Sequence, residues 1–200
     1  MNVRADDDDD TWGEPPPEAY SRVTNPERFR PLHAHALGRL ADLQATYDVA
    51  ASETFELLPG FGPPVAPVEP ARPPVTLTPR APGAAPIAVA FTTFPSLLVR
   101  CGRWHSAAFP SCGCDACRED AADQIDRFDA LVDRIVAGLF AEELRIPFFG
   151  DARLSARFGD GTPREGMNGE SGAMLPRAYA RRLAGRGRHA VQWQPWRRRG

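Results

Sequence analysis

Lysine is absent from this sequence: all 24 basic residues are arginine. Proline, alanine, glycine and aspartate are abundant, so the bias reads as GC-rich codon usage, as in a high-GC bacterium, rather than as selection for guanidinium chemistry. Long apolar runs are lacking too. The longest, 87–99, is interrupted by Thr92, Thr93, Pro95 and Ser96, far short of the roughly 20 apolar residues that a membrane helix needs. Met1-Asn2-Val3-Arg4 leads directly into five aspartates with no apolar segment, so no signal or transit peptide is read there. The expected location is the cytoplasm, where thiols stay reduced. A P-loop, a complete Gly-x-Gly-x-x-Gly and a His-Glu-x-x-His are all missing, which removes three motif-borne chemistries. No internal repeat is visible.

What is present fits one domain. Two hundred residues at 42% hydrophobic content suffice for a single core. The net charge of -2 is too small to suggest a nucleic-acid or membrane protein. It conceals an asymmetry, because residues 1–20 hold seven acids against one arginine, whereas 171–200 hold eight arginines and no acid. Asp6 to Asp10 repel one another, and with Pro15 to Pro17 they make 1–20 a disordered acidic tail. The domain then spans 21–196, and 197–200 forms a basic C-terminal tail.

Thr24-Asn25-Pro26-Glu27 signals a helix start, with a capping residue, a proline in the first turn and an acid behind it. Phe29, Leu32, Ala36, Leu40, Leu43 and Tyr47 recur at three- and four-residue spacing, which predicts a helix to about Thr54. Residues 59–86 carry ten of the 21 prolines, so they read as a loop with an edge strand at Val75 to Thr78. Ile87 to Phe91 and Leu97 to Cys101 read as a hairpin, with a third strand from Trp104. A second helix is predicted from near Asp115 to near Leu144, its apolar face carried by Phe128, Val132, Ile135 and Val136. Three short strands are expected at Pro147 to Phe149, Leu154 to Phe158 and Val191 to Trp193, and a short helix at Met174 to Leu183. The fold class is therefore α+β, a small, mainly antiparallel sheet packed by two long amphipathic helices.

The four cysteines fall at 101, 112, 114 and 117, with His105 among them. Structural zinc takes four thiolate or imidazole ligands in a tetrahedron, and a Cys-x-x-Cys turn presents two sulfurs to one ion. Cys114 and Cys117 fit that half, Cys112 supplies a third sulfur, and His105 or Cys101 closes the shell. The candidate set is His105, Cys112, Cys114 and Cys117, for Zn2+. The pattern has only one ligand pair at the usual spacing, so two other readings stand beside it. One is redox chemistry, with Cys114 or Cys117 as thiolate and His105 as base. The other is that small thiols pack well in a crowded turn.

Phe109-Pro110-Ser111-Cys112-Gly113-Cys114-Asp115-Ala116-Cys117, with Val99 to Trp104 upstream and Trp193-Gln194-Pro195-Trp196 near the end, resembles the bacterial family designated domain of unknown function 6226. The likeness covers residues from about 20 to 198. It implies a compact protein of high-GC bacteria and supplies no activity, ligand or site.

His33 and His35, two apart on a helix, point to different sides and cannot share a metal. Asp123, Asp126, Asp129 and Asp133 form a carboxylate stripe, which reads as a solvated face more readily than as a site for a hard cation. Its charge complements the arginine-rich end, so a protein partner or self-association through the acidic and arginine-rich segments is expected. Arginine interleaved with tryptophan at 193–199 also permits weak nucleic-acid binding, a lesser alternative. The function these readings favour is a non-enzymatic binding or accessory protein.

Overall fold

Pro31, not Pro26, opens the first α-helix. Lacking an N–H, it cannot extend a helical ladder back into the preceding turn. Pro26–Phe29 is accordingly a 3-10 turn and α1 runs Pro31–Thr46. This computed structural model describes residues 15–54, 70–159 and 171–200. Of the expected acidic tail, residues 1–14 lie outside the described residues, and Pro17–Ser21 forms a 3-10 turn that buries Ala19.

The helix expected to reach Thr54 stops eight residues earlier. Tyr47 is extended, and β1, Val49–Glu53, pairs antiparallel with β2, Pro70–Pro79. Strand pairing here overrides a local sequence that would tolerate a helix. β2 corrects a second expectation, because the proline-rich region supplies an inner strand, flanked by β1 and β3, rather than an edge. The prolines are accommodated at two register shifts, between Pro70 and Arg72 and between Arg72 and Val75, where the ladder lacks the bonds that proline cannot donate. Residues 59–69 of that loop lie outside the described residues.

β3, Ile87–Thr92, and β4, Leu97–Cys101, form the expected hairpin with Val89 opposite Val99. β5, His105–Phe109, follows, and the five strands lie in sequence order, each antiparallel to its neighbour. The second long helix, α2, covers only Ala121–Val136. Before it, Asp115–Cys117 is a separate 3-10 turn, and Arg118 in the left-handed region breaks the path. Asp120 then caps α2 by accepting from the Asp123 N–H at 2.9 Å. After it, Gly138 turns with φ +73°, and β6, Phe140–Ile146, buries every second residue.

Where one small sheet was expected, β6 begins a second. It is joined by β7, Ala152–Phe158, β8, Ser171–Leu175, and β9, Gly187–Gln192, in the order β8-β7-β6-β9, all antiparallel. α3, Arg177–Ala184, links β8 to β9. Pro147 to Phe149, expected as a strand, is the bend between β6 and β7, and it leaves Phe148 and Phe149 exposed. No helix among the described residues is long and apolar enough to cross a membrane.

The main core joins Leu32, Leu40 and Leu43 of α1 and Phe128, Val132 and Ile135 of α2 with the apolar residues of β3 and β4. A smaller cluster seats Trp104 against Leu144, Ile146, Leu154 and Ala180. Glu142 ties the two sheets together. Its buried carboxylate accepts the N–H groups of Arg103, Trp104 and His105 and the indole N–H of Trp193, at 2.6 to 3.2 Å. Gly102, at φ +63°, makes room for it, since a Cβ there would lie 2.4 Å from the Glu142 Oε1.

Candidate metal centre

β5 ends at Phe109, and the eleven-residue passage 110–120 that carries the chain to α2 contains the three clustered cysteines. Their Sγ atoms all lie within 4.8 Å of one another, and Cys114 Sγ is 3.4 Å from Cys117 Sγ. Zinc–sulfur bonds of about 2.3 Å in a tetrahedron place sulfurs about 3.8 Å apart, so the spread brackets what one ion requires. Cys114 is buried, while Cys112 and Cys117 face outward.

The passage is held by charged groups on both sides. Glu119 folds back beneath it and accepts from Ser111 Oγ at 3.1 Å, the Cys112 N–H at 3.3 Å and the Gly113 N–H at 3.0 Å. Partial burial pushes the Glu119 carboxyl up, but those bonds outweigh it and hold it below the usual carboxylate range. Across the passage, Arg28 donates to the carbonyls of Gly113 at 2.9 Å and Glu119 at 3.1 Å. Thr24 does not cap a helix. Its N–H and hydroxyl both donate to Asp115, at 3.0 and 3.2 Å, and Asp115 also pairs with Arg22 and Arg28. Gly113, at φ +77°, lets the turn approach Phe94, whose ring a Cβ would meet at 2.8 Å.

The sulfurs are electrically unequal. The Cys112 and Cys117 thiols and the N–H groups of Cys117 and Ala116 surround Cys114 Sγ, which pulls the Cys114 pKa down. Cys117, beside Cys114 and Cys112, is pushed up to about 12. Cys114, the buried sulfur, is therefore the more acidic of the two. A cation placed among the three would take over the role of the thiol protons, whereas thiol exchange needs its thiolate on the accessible sulfur.

His105 is not among the grouped ligands. It opens β5, and its ring is packed edge-on against Phe140 and Phe158, with centroids 5.8 and 5.1 Å away. Burial lowers its pKa to about 4, so it is neutral at pH 7. Cys101 lies opposite it in the β4–β5 ladder, fully buried, its thiol pushed well above the usual value by desolvation. The structure thus brings Cys112, Cys114 and Cys117 together and leaves His105 and Cys101 in the core. Sequence reasoning missed the supporting shell of Glu119, Arg28 and Asp115. Only the acid two residues beyond Cys117 was a local signal for it.

His33 and His35 do diverge: His33 Nε2 meets the Ser96 carbonyl at 3.0 Å, and His35 Nε2 meets Asp129 at 2.9 Å. Arg39 adds ion pairs to Asp129 and Asp133, so part of the α2 stripe is neutralised by α1 of the same chain. One family, described as a family of unknown function, matches the chain over residues 6–200. No curated protein and no solved structure matches it.

Proposed function

The chain belongs to that family, DUF6226, and we propose that it is a non-enzymatic cytoplasmic binding or accessory protein whose cysteine loop is stapled by Zn2+. The observation that carries this reading is the convergence of the Cys112, Cys114 and Cys117 sulfurs within 4.8 Å. Support comes from the N–H groups aimed at Cys114 and from the Glu119 and Arg28 tethers, since hydrogen-bonded outer partners of this kind orient metal ligands. His105 is dropped from the ligand set, and the fourth position falls to water or to a donor brought by a partner. We read α1 and α2 as the cover of the five-stranded sheet, with the zinc loop fixing where β5 hands the chain to α2.

The test is elemental analysis of untagged protein purified without chelator, beside Cys114→Ser. One zinc per chain, lost in the variant, is expected; no metal in either overturns the reading. Thiol redox chemistry is the second reading, favoured by the 3.4 Å approach of Cys114 to Cys117. It requires a thiol that alkylates readily near neutral pH and a reversible Cys114–Cys117 disulfide, and zinc loading should suppress both.

A further inference from the structure

Where the β4–β5 turn of the first sheet faces α3 and β9 of the second, a cleft of about 650 Å³ opens to the surface. Arg100, Arg103 and Arg182 line it together with Trp104, Leu183 and His189, and no acidic residue is among its lining. Volumes of this order accommodate small ligands of cofactor size. From this charge distribution we propose that the cleft binds a small organic phosphate, its phosphate groups held by the three guanidinium groups and its apolar part against Leu183 and the edge of Trp104.

The cleft gathers three guanidinium groups, of which Arg100 feels the Glu142 carboxylate. Glu142 is turned to the backbone of this turn and to Trp193, with both oxygens accepting N–H bonds there. Glu143, the next acid along β6, is paired with Arg188 at 2.7 Å. Arg103 and Arg182 are exposed, whereas Arg100 is half-buried and braced through a hydrogen bond to the Arg103 carbonyl, so the site has one fixed cation and two that can close on a ligand. The guanidinium fork matches a phosphate bidentately. His189 completes the lining on the β9 side, its ring 6.5 Å from that of Trp104.

This site shares no residue with the cysteine loop and does not depend on the zinc reading. It also differs from the P-loop mode, which the sequence lacks. There, backbone N–H groups cradle the phosphate, whereas here side chains from β4, the β4–β5 turn, α3 and β9 converge on it.

The test is calorimetric titration of the full chain in low salt with ADP, pyrophosphate, citrate and an oligothymidylate, with melting temperatures recorded without ligand. Saturable ADP or pyrophosphate binding is expected, weaker in higher salt. Arg103→Gln and Arg182→Gln, both at exposed positions, should each weaken it about tenfold or more while melting like the parent. Arg186→Gln, outside the lining, should bind like the parent. No heat from either phosphate, or affinities untouched by Arg103→Gln and Arg182→Gln, would overturn the proposal. Tighter binding of citrate would reassign the cleft to carboxylates, and tighter binding of the oligonucleotide to single strands; either result also overturns it.

Discussion

The His105 imidazole is a buried base that the fold keeps neutral. Its pKa of about 4 lies below the usual 6.5 because the Phe140 and Phe158 rings take the place of water around it. The unfolded chain takes up a proton near pH 6.5 that the folded chain refuses until about pH 4. Stability from this site is therefore complete above pH 6.5 and declines as acid is added, by about 3 kcal/mol in all. Glu142 has the opposite sign: burial raises its pKa despite four N–H donors, so the folded state binds its proton more readily and acid returns some stability. Carboxylates held below their usual range, such as Glu119 and Asp115, lose their contribution only below about pH 4.5. Between pH 6.5 and 4.5 His105 and Glu142 therefore act with opposite signs, and comparing parent with variant isolates His105 because Glu142 is common to both. His105→Phe, which keeps an aromatic ring in the aromatic stack, should flatten the fall in melting temperature across that window, and a parent-like slope in the variant would refute this assignment.

At the level of elements, α1, α2, β3, β4 and β5 were legible because apolar residues recur at helical spacing or cluster as β-formers. Their limits were not legible. Residues 49–53 and 140–144 contain good helix formers, yet both are strands, because β2 and β9 offer edges to pair with. Glu142 hid the two-residue period of β6, since an inward carboxylate reads as an outward one until its N–H partners are known. The three cysteines were legible from spacing alone. Their tethers were not, because Arg28 and Thr24 approach from about ninety residues away. Gly138 shows how an element ends for a tertiary reason: its φ is +73°, and a Cβ would lie 2.5 Å from the Pro195 nitrogen. Gly150 has a similar φ of +80° with open space around it. Alanine at Gly150 should cost only the left-handed penalty, on the order of 1 kcal/mol. Alanine at Gly138 should cost clearly more, because the Pro195 backbone must also move. Urea unfolding of the two variants compares them directly, and equal losses would mean that the close approach does not constrain the turn.

Across the whole molecule, the C-terminal segment closes the fold, contrary to the expectation of a basic tail at 197–200. Gln194 N–H donates to the Gly83 carbonyl at 2.8 Å, Trp196 N–H to Val136 at 2.9 Å, and Arg199 N–H to Thr46 at 3.0 Å. The Arg197 carbonyl accepts from Asp48 N–H, and Arg198 lies over the Tyr47 ring. One short stretch therefore grips the β2–β3 turn, the end of α2 and the end of α1, three points far apart in sequence. At its centre Trp196 is 5% exposed, sends its indole N–H to the Ala85 carbonyl at 2.9 Å, and meets Tyr47 edge-on at 5.8 Å. Arg198 and Arg199 also hold their own chain through their side chains, over the Tyr47 ring and from Nε to the Tyr47 carbonyl at 3.0 Å. Removing the indole empties a site where α1, α2 and the first sheet meet and leaves the Ala85 carbonyl without its donor. Trp196→Ala should destabilise by about 3–5 kcal/mol. Deleting only 197–200 removes surface bonds and one ring contact, and should cost less. Chemical denaturation of both variants decides the matter: if the deletion cost as much as Trp196→Ala, the anchor would be the arginines rather than the buried indole.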